Sequence, residues 1–147
     1  MSSDFPSWVP TAGSEGEPFS IVIESGKVAE FAVAVGTESG LGVPPTFLEV
    51  ARLWRGPDAS PWTMDPDVHA RTLHASQEYE LFAGPLRPGL ELTGRMRIDK
   101  VYEKSGKRSG RMIFVEVVTD FADGSGAVLA RARQTTVTTE RPPDKGA

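Results

Sequence analysis

From residue 73 onward the chain is four extended segments separated by turn sequences, and this run limits the fold more than any other feature. In residues 73–82, Leu73, Ala75, Gln77, Tyr79 and Leu81 fall on one face of a pleated strand, while His74, Ser76, Glu78 and Glu80 fall on the other. Residues 91–103 set Leu92, Met96, Ile98 and Tyr102 against Glu91, Thr93, Arg95, Arg97 and Asp99. Residues 112–121 are apolar on both faces, as suits a central strand, and residues 128–138 return as the last one. The connectors Gly84-Pro85-Leu86-Arg87-Pro88-Gly89, residues 104–110 and Asp123-Gly124-Ser125-Gly126 are turn-rich and too short for crossover helices. The four segments must therefore pair as an antiparallel meander.

The first half supplies what packs on that sheet. Residues 1–18, with Pro6, Pro10 and Pro18 beside Gly13 and Gly16, read as a flexible N-terminal arm in which Phe5, Trp8 and Val9 are the docking candidates. Phe19-Ser20-Ile21-Val22-Ile23 makes a short strand. Ser25 offers an N-cap to a helix striped by Val28, Phe31, Ala32 and Val35, which Gly36 stops. A second helix starts near Thr46, whose spacing to Glu49 is that of a capping box, with Pro44-Pro45 admitted only before or at its first turn. Phe47, Val50, Ala51 and Trp54, widened by Leu48 and Leu53, predict burial on more than one side. Arg55-Gly56-Pro57 ends it, and residues 56–70, holding Pro57, Pro61 and Pro66, read as a long irregular loop. The expected design is α+β: an arm over 1–18, one domain over 19–139 with an antiparallel sheet facing a central helix, and a disordered tail over 140–147.

Charge and composition remove several function classes. A net charge of -4 without a long basic run is a poor footprint for phosphates, so no nucleic-acid partner is expected. The chain has no cysteine and no apolar run near the roughly 20 residues that cross a bilayer, so a cytoplasmic protein without a membrane partner is expected. Asp65-Pro66-Asp67-Val68-His69 offers one histidine and two carboxylates from one loop, too little to predict a metal site, and no cofactor is expected.

Three short motifs in order, Val43-Pro44-Pro45-Thr46-Phe47, Leu73-His74-Ala75-Ser76-Gln77-Glu78-Tyr79 and Pro85-Leu86-Arg87-Pro88-Gly89, resemble the N-terminal MaoC-like dehydratase family, including the A-type subunit of mycobacterial hydroxyacyl-carrier-protein dehydratases. The resemblance covers about residues 19–139. It implies a single hotdog fold, a sheet wrapped around a central helix, and a dimer that holds an acyl-CoA or acyl-carrier-protein thioester between sheet and helix. The partner it implies is a second hotdog subunit or a second copy in a homodimer. The substrate-binding positions it implies are Val43, Pro44, Pro45, Thr46, Phe47, Trp62 and His74. Trp62 and Met64 would cover the acyl tunnel or pack on the partner. Catalytic relatives carry Gly-Asp-x-Asn-Pro-x-His after the first helix, whereas Gly36 here is followed by Thr37-Glu38-Ser39-Gly40. Where such relatives open the core helix with His-Gly, this chain has Pro44-Pro45, and proline has no N–H to offer a thioester oxygen. The resemblance thus implies a subunit with no catalytic residue of its own, paired with a partner that has them. The alternatives are a homodimeric acyl-ligand-binding or scaffold protein, and a hotdog thioesterase with a site that no motif marks, for which Glu38 and His74 are the residues to test.

Overall fold

Short connectors join long alternating segments, and the computed structural model, which describes residues 4–38 and 40–140, pairs the last three of them as the expected meander but sets the first, residues 72–81, beside the last strand instead of beside its sequence neighbour. The strands are β1 (Phe19–Val22), β2 (Thr72–Leu81), β3 (Glu91–Gly106), β4 (Gly110–Ala122) and β5 (Val128–Thr139). They form one antiparallel sheet in the order β1-β3-β4-β5-β2. β4 lies between β3 and β5, as its two apolar faces predict, and the ten-residue β2 is an edge with one margin unpaired among the described residues. Ser39 and most of the expected tail, residues 141–147, lie outside the described residues.

Two bulges change which side chains share a face. In β2, His74 faces Thr136 and Ser76 faces Thr135, so Ala75 is an extra residue. An unpaired residue reverses the alternation beyond it. His74 therefore shares the inner face with Gln77 and Tyr79, and Leu73 is left outside, 63% exposed. Strict alternation predicted the opposite for both. In β3 the extra residue is Asp99, between the pairs Ile98–Val117 and Lys100–Glu116. Past it Val101 turns inward, and Tyr102, expected beside Ile98, stacks outside on Phe114 at 5.1 Å.

The inner face carries Leu92, Met96, Ile98, Ile113, Val115, Val117 and Phe121 into one cluster with residues of the helical layer. Helix α1 (Ser25–Val35) begins one residue earlier than expected, Glu24 being its N-cap without a side-chain cap bond. It buries Val28 and Ala32 and leaves Val35 exposed. Gly36 ends it in the left-handed region at φ 75°, as only glycine does without strain. The expected second α-helix is instead a 3-10 helix over Phe47–Leu53. Its cap Thr46 makes no side-chain bond, so the capping box does not form. Phe47, Leu48, Val50 and Ala51 are buried, but Leu53 and Trp54 face solvent, so the apolar stripe is narrower than the sequence suggests. Residues 56–70 are not wholly irregular: a 3-10 turn spans Pro57–Ala59 and a short helix, α2, spans Pro66–Ala70.

The N-terminal arm differs most from expectation. Residues 13–16 prolong β1 along β3: the Gly13 N–H donates to the Ile98 carbonyl (2.8 Å), the Ile98 N–H to Ser14 (2.9 Å) and the Gly16 N–H to Met96 (3.0 Å). Phe5, Trp8 and Val9 then pack against the core. Trp62 donates its indole N–H to the Trp8 carbonyl at 3.1 Å, and the Arg71 guanidinium lies 5.7 Å from the Trp8 ring. Arm and loop thus fix each other.

On the outer face β3, β4 and β5 interleave charges. Asp120 accepts from Arg97 (2.7 Å) and from Arg131 (2.6 Å), and Arg133 donates to Asp99 (2.6 Å) and Glu116 (2.8 Å). Val118, opposite Arg97 and Arg133 in register, is fully buried there, as arginine stems can achieve. Partial burial works to raise the Asp120 carboxyl, but the bonds from Arg131 and Arg97 outweigh it and hold it below the usual range. The bond from Arg133 does the same for Asp99. Folded values below the unfolded ones mean that this stabilisation is complete above about pH 4, the ordinary carboxylate value, and is lost as pH falls through the depressed folded values. Asp120→Asn is expected to lower stability at pH 7 by about 1–2 kcal/mol, discounted for solvent contact, and to flatten the acid limb of stability against pH. Urea midpoints from pH 7 to pH 2 measure both, and a variant with an unchanged acid limb would refute the assignment.

Candidate functional site

The 3-10 helix has room on the sheet for its apolar side and not much else. Between its residues Leu48, Glu49, Ala51 and Arg52, with Arg55 just beyond, and the inner face of the sheet lies a cleft of about 140 Å³. Phe19, Met96, Val117 and Phe121 form its apolar floor; Thr119, Ala132, Gln134, His74 and Gln77 complete the wall. Gly94 makes that floor possible, because a Cβ there would sit 2.3 Å from the Phe19 ring, which lies across the strand. The Phe19 ring meets Phe121 edge to face at 6.3 Å.

The polar wall comes from cross-strand pairing. Gln77 on β2 is directly opposite Gln134 on β5, and the β2 bulge brings His74 within 3.3 Å of the Gln134 amide nitrogen through Nδ1. Gln77 Oε1 is buried with no hydrogen-bond partner among the described residues. Tyr79 donates its hydroxyl to Glu49 Oε2 at 3.1 Å, tying β2 to the 3-10 helix. Burial first, and then the Glu49 charge, push the Tyr79 phenol well above its ordinary value, so it stays a donor. Arg52 reaches Glu49 at 3.5 Å. Arg55 is half-buried, and its Nη1 meets the Met96 sulfur at 3.2 Å. Burial lowers the Arg55 pKa against the opposing pull of Glu49.

Of the residues expected to bind substrate, His74 alone lines this cleft. Phe47 is fully buried on the α1 side, meeting Phe31 at 5.6 Å. Val43 and Pro44 are buried, whereas Pro45 and Thr46 are exposed. The Pro44 carbonyl accepts the Phe47 N–H at 3.0 Å and so starts the 3-10 turn. Trp62 is partly buried, bonds the arm and does not line the cleft. Glu38 and His69 are exposed away from it. Among the described residues no cluster of three metal-ligating side chains occurs, no helix is long and apolar enough to cross a membrane, and His74 meets no carboxylate within bonding distance. Sequence reading missed Glu49, Arg52, Arg55, Thr119, Gln77 and Gln134. One signal was present: His74 and Gln77, three apart, can share a strand face only across a bulge.

Residues 10–132 match the family described as FAS1-like, dehydratase domain region. No curated protein matches the chain. Among solved structures, a chain of the C-terminally truncated HadBC (3R-hydroxyacyl-ACP dehydratase) complex from Mycobacterium tuberculosis aligns with a TM-score of 0.60 at 16% identity, covering 88% of this chain and 99% of that one. A MaoC-like dehydratase gives a TM-score of 0.66 at 19% identity, over 86% of this chain and 42% of its own. The ChsH1-ChsH2 complex from Mycobacterium tuberculosis gives 0.64 at 12% identity, over 89% and 87%. At such identities the likeness is one of fold: the curled five-stranded sheet around a short helix is a hotdog.

Proposed function

The chain belongs to the FAS1-like dehydratase-region family, and from that membership we propose that it is the acyl-binding, non-catalytic subunit of an (R)-specific enoyl-thioester hydratase or 3-hydroxyacyl-thioester dehydratase, working with a MaoC-like partner that supplies the acid/base pair. The observation that carries this reading is the cleft between the 3-10 helix and the sheet, lined in part by β2, the strand with an open margin. A second hotdog joined along β2 would bring its own cleft beside this one. Two of the similar structures are complexes of two named components, HadBC and ChsH1-ChsH2.

Reversible addition of water to a trans-2-enoyl thioester needs a base for the water, an acid for the α-carbon and a donor for the thioester oxygen. In this chain His74 is held by an amide rather than a carboxylate, and Pro44-Pro45, which lies just ahead of the 3-10 helix and its cap Thr46, has no N–H groups. Those requirements fall to the partner, while this chain's cleft positions the acyl group. The test is co-expression with a MaoC-like protein carrying Asp-x-Asn-Pro-x-His, followed by co-purification and an assay of trans-2-enoyl-CoA hydration. The complex is expected to turn over, and alanine at the partner's aspartate or histidine to abolish the rate. Hydration by this chain alone at about 1 s⁻¹ or faster, within the ordinary enzyme range, would overturn the reading. A stable homodimer that retains an acyl ligand and ignores such partners would replace it with a binding protein.

A further inference from the structure

A cleft built for a hydrocarbon tail should be apolar, yet this one holds two groups that a hydrocarbon would leave stranded. Arg55 is half-buried and has no carboxylate within ion-pair distance among the described residues; its guanidinium touches a thioether sulfur, a weak acceptor. Glu49 is close enough to act on it through space, but its oxygens are engaged by Arg52 and Tyr79. Across the cleft Gln77 Oε1 is buried and, among the described residues, unbonded. That oxygen takes a donor, or, with the amide turned over, the Nε2 group donates to an anion. Covering these groups with methylenes would cost the desolvation of a charge and of an amide with nothing returned.

Resting on the acyl-thioester reading above, we infer that this cleft receives an acyl group bearing a carboxylate on its tail, held by Arg55 with Gln77 and Gln134 beside it, rather than a plain hydrocarbon chain. The alternative source of negative charge is the phosphate portion of coenzyme A. Position favours the acyl group. Arg55 reaches Met96, which is 5% exposed on the sheet floor, whereas Arg52, already paired with Glu49, is the outward-facing arginine. One guanidinium also matches one carboxylate in charge and in its two-pronged geometry.

The experiment is calorimetric titration of the purified chain, and of its complex if one forms, with hexanoyl-CoA, the mono-thioester adipoyl-CoA, coenzyme A and free adipate. Adipoyl-CoA is expected to bind at least tenfold more tightly than hexanoyl-CoA. Arg55→Met should erase that preference with unchanged circular dichroism, and Arg55→Lys should restore part of it. Equal binding of the two thioesters, insensitive to Arg55→Met, overturns the inference and leaves the acyl-thioester reading standing. Coenzyme A binding as tightly as adipoyl-CoA, and weakening with Arg55→Met, assigns Arg55 to phosphate and also overturns it. Adipate bound through Arg55 without binding of either thioester sinks the acyl-thioester reading and keeps the anion pocket. Absence of binding by all four, in chain and complex, overturns both.

Discussion

Gly16→Ala is expected to release the N-terminal segment from the domain. A Cβ at Gly16 would lie 2.0 Å from the Ala59 carbonyl oxygen and 2.5 Å from its carbon. Both are backbone atoms, so no rotamer change relieves the overlap, and one of the two strands of chain must move. The Glu17 N–H donates to Asp58 at 2.8 Å in the same contact, and the Gly16 N–H donates to Met96 at 3.0 Å, so the shift breaks bonds on both sides. Steric insertion of this kind costs about 1–3 kcal/mol, and the lost bonds add about 1 kcal/mol each. That sum rivals what holds Phe5, Trp8 and Val9 in place, so the outcome is local release with the sheet intact. Limited proteolysis should then cut within residues 4–18 while the remainder survives, and the melting temperature should fall by several degrees. Gly13→Ala is the control: it has open space around the new Cβ but a φ of 89°, and should cost only about 1 kcal/mol of backbone strain. Equal protease resistance of Gly16→Ala and the parent would show that the contact does not hold the arm.

Phe47→Ala should be the most damaging change in the core. Phe47 is 1% exposed and bridges α1, through the edge-to-face contact with Phe31, to the layer over the sheet. Deleting a buried phenyl ring removes its transfer free energy and leaves a cavity, about 3–5 kcal/mol together. Domains of this size have about 5–15 kcal/mol in total, so the variant would be near the limit of folding. Phe47→Leu fills most of the space and should cost appreciably less, though it loses the ring contact. Urea titration separates the two. A loss below about 1 kcal/mol for the alanine variant would mean that α1 and the 3-10 helix are coupled elsewhere.

The strands were readable because each buries one face, and burial imposes a period that the side chains record. Residues 73–82 and 91–103 were placed within a few residues of β2 and β3, and the apolar run at 112–121 marked β4 as internal. What alternation cannot record is an added residue. Ala75 and Asp99 are ordinary in sequence, yet each reverses the faces beyond it, moving Leu73 and Tyr102 outward and setting His74 beside Gln77. The motif His74-Ala75-Ser76-Gln77-Glu78-Tyr79 held the clue in its spacing. The docking of Phe5, Trp8 and Val9 is legible in the arm, but its path along β3 is not. Proline and glycine describe local stiffness and freedom, whereas its position is set by Ile98, Ala59 and Trp62, some forty to ninety residues away in sequence. The site divided along the same line. The motif points to His74, while nothing in the sequence singles out Arg52, or Arg55 beyond its place at the helix end, because only the distance between that helix and Met96 reveals the cleft.

The two margins of the sheet are unlike. Along one, a four-residue strand and residues 13–16 leave little open backbone, flanked by Pro10 and Pro18, neither of which has an amide hydrogen to recruit a neighbour. Along the other, the ten residues of β2 stand open among the described residues. A sheet with one receptive side and one blunted side offers an added strand a single place to pair, and pairing through a single side closes in twos.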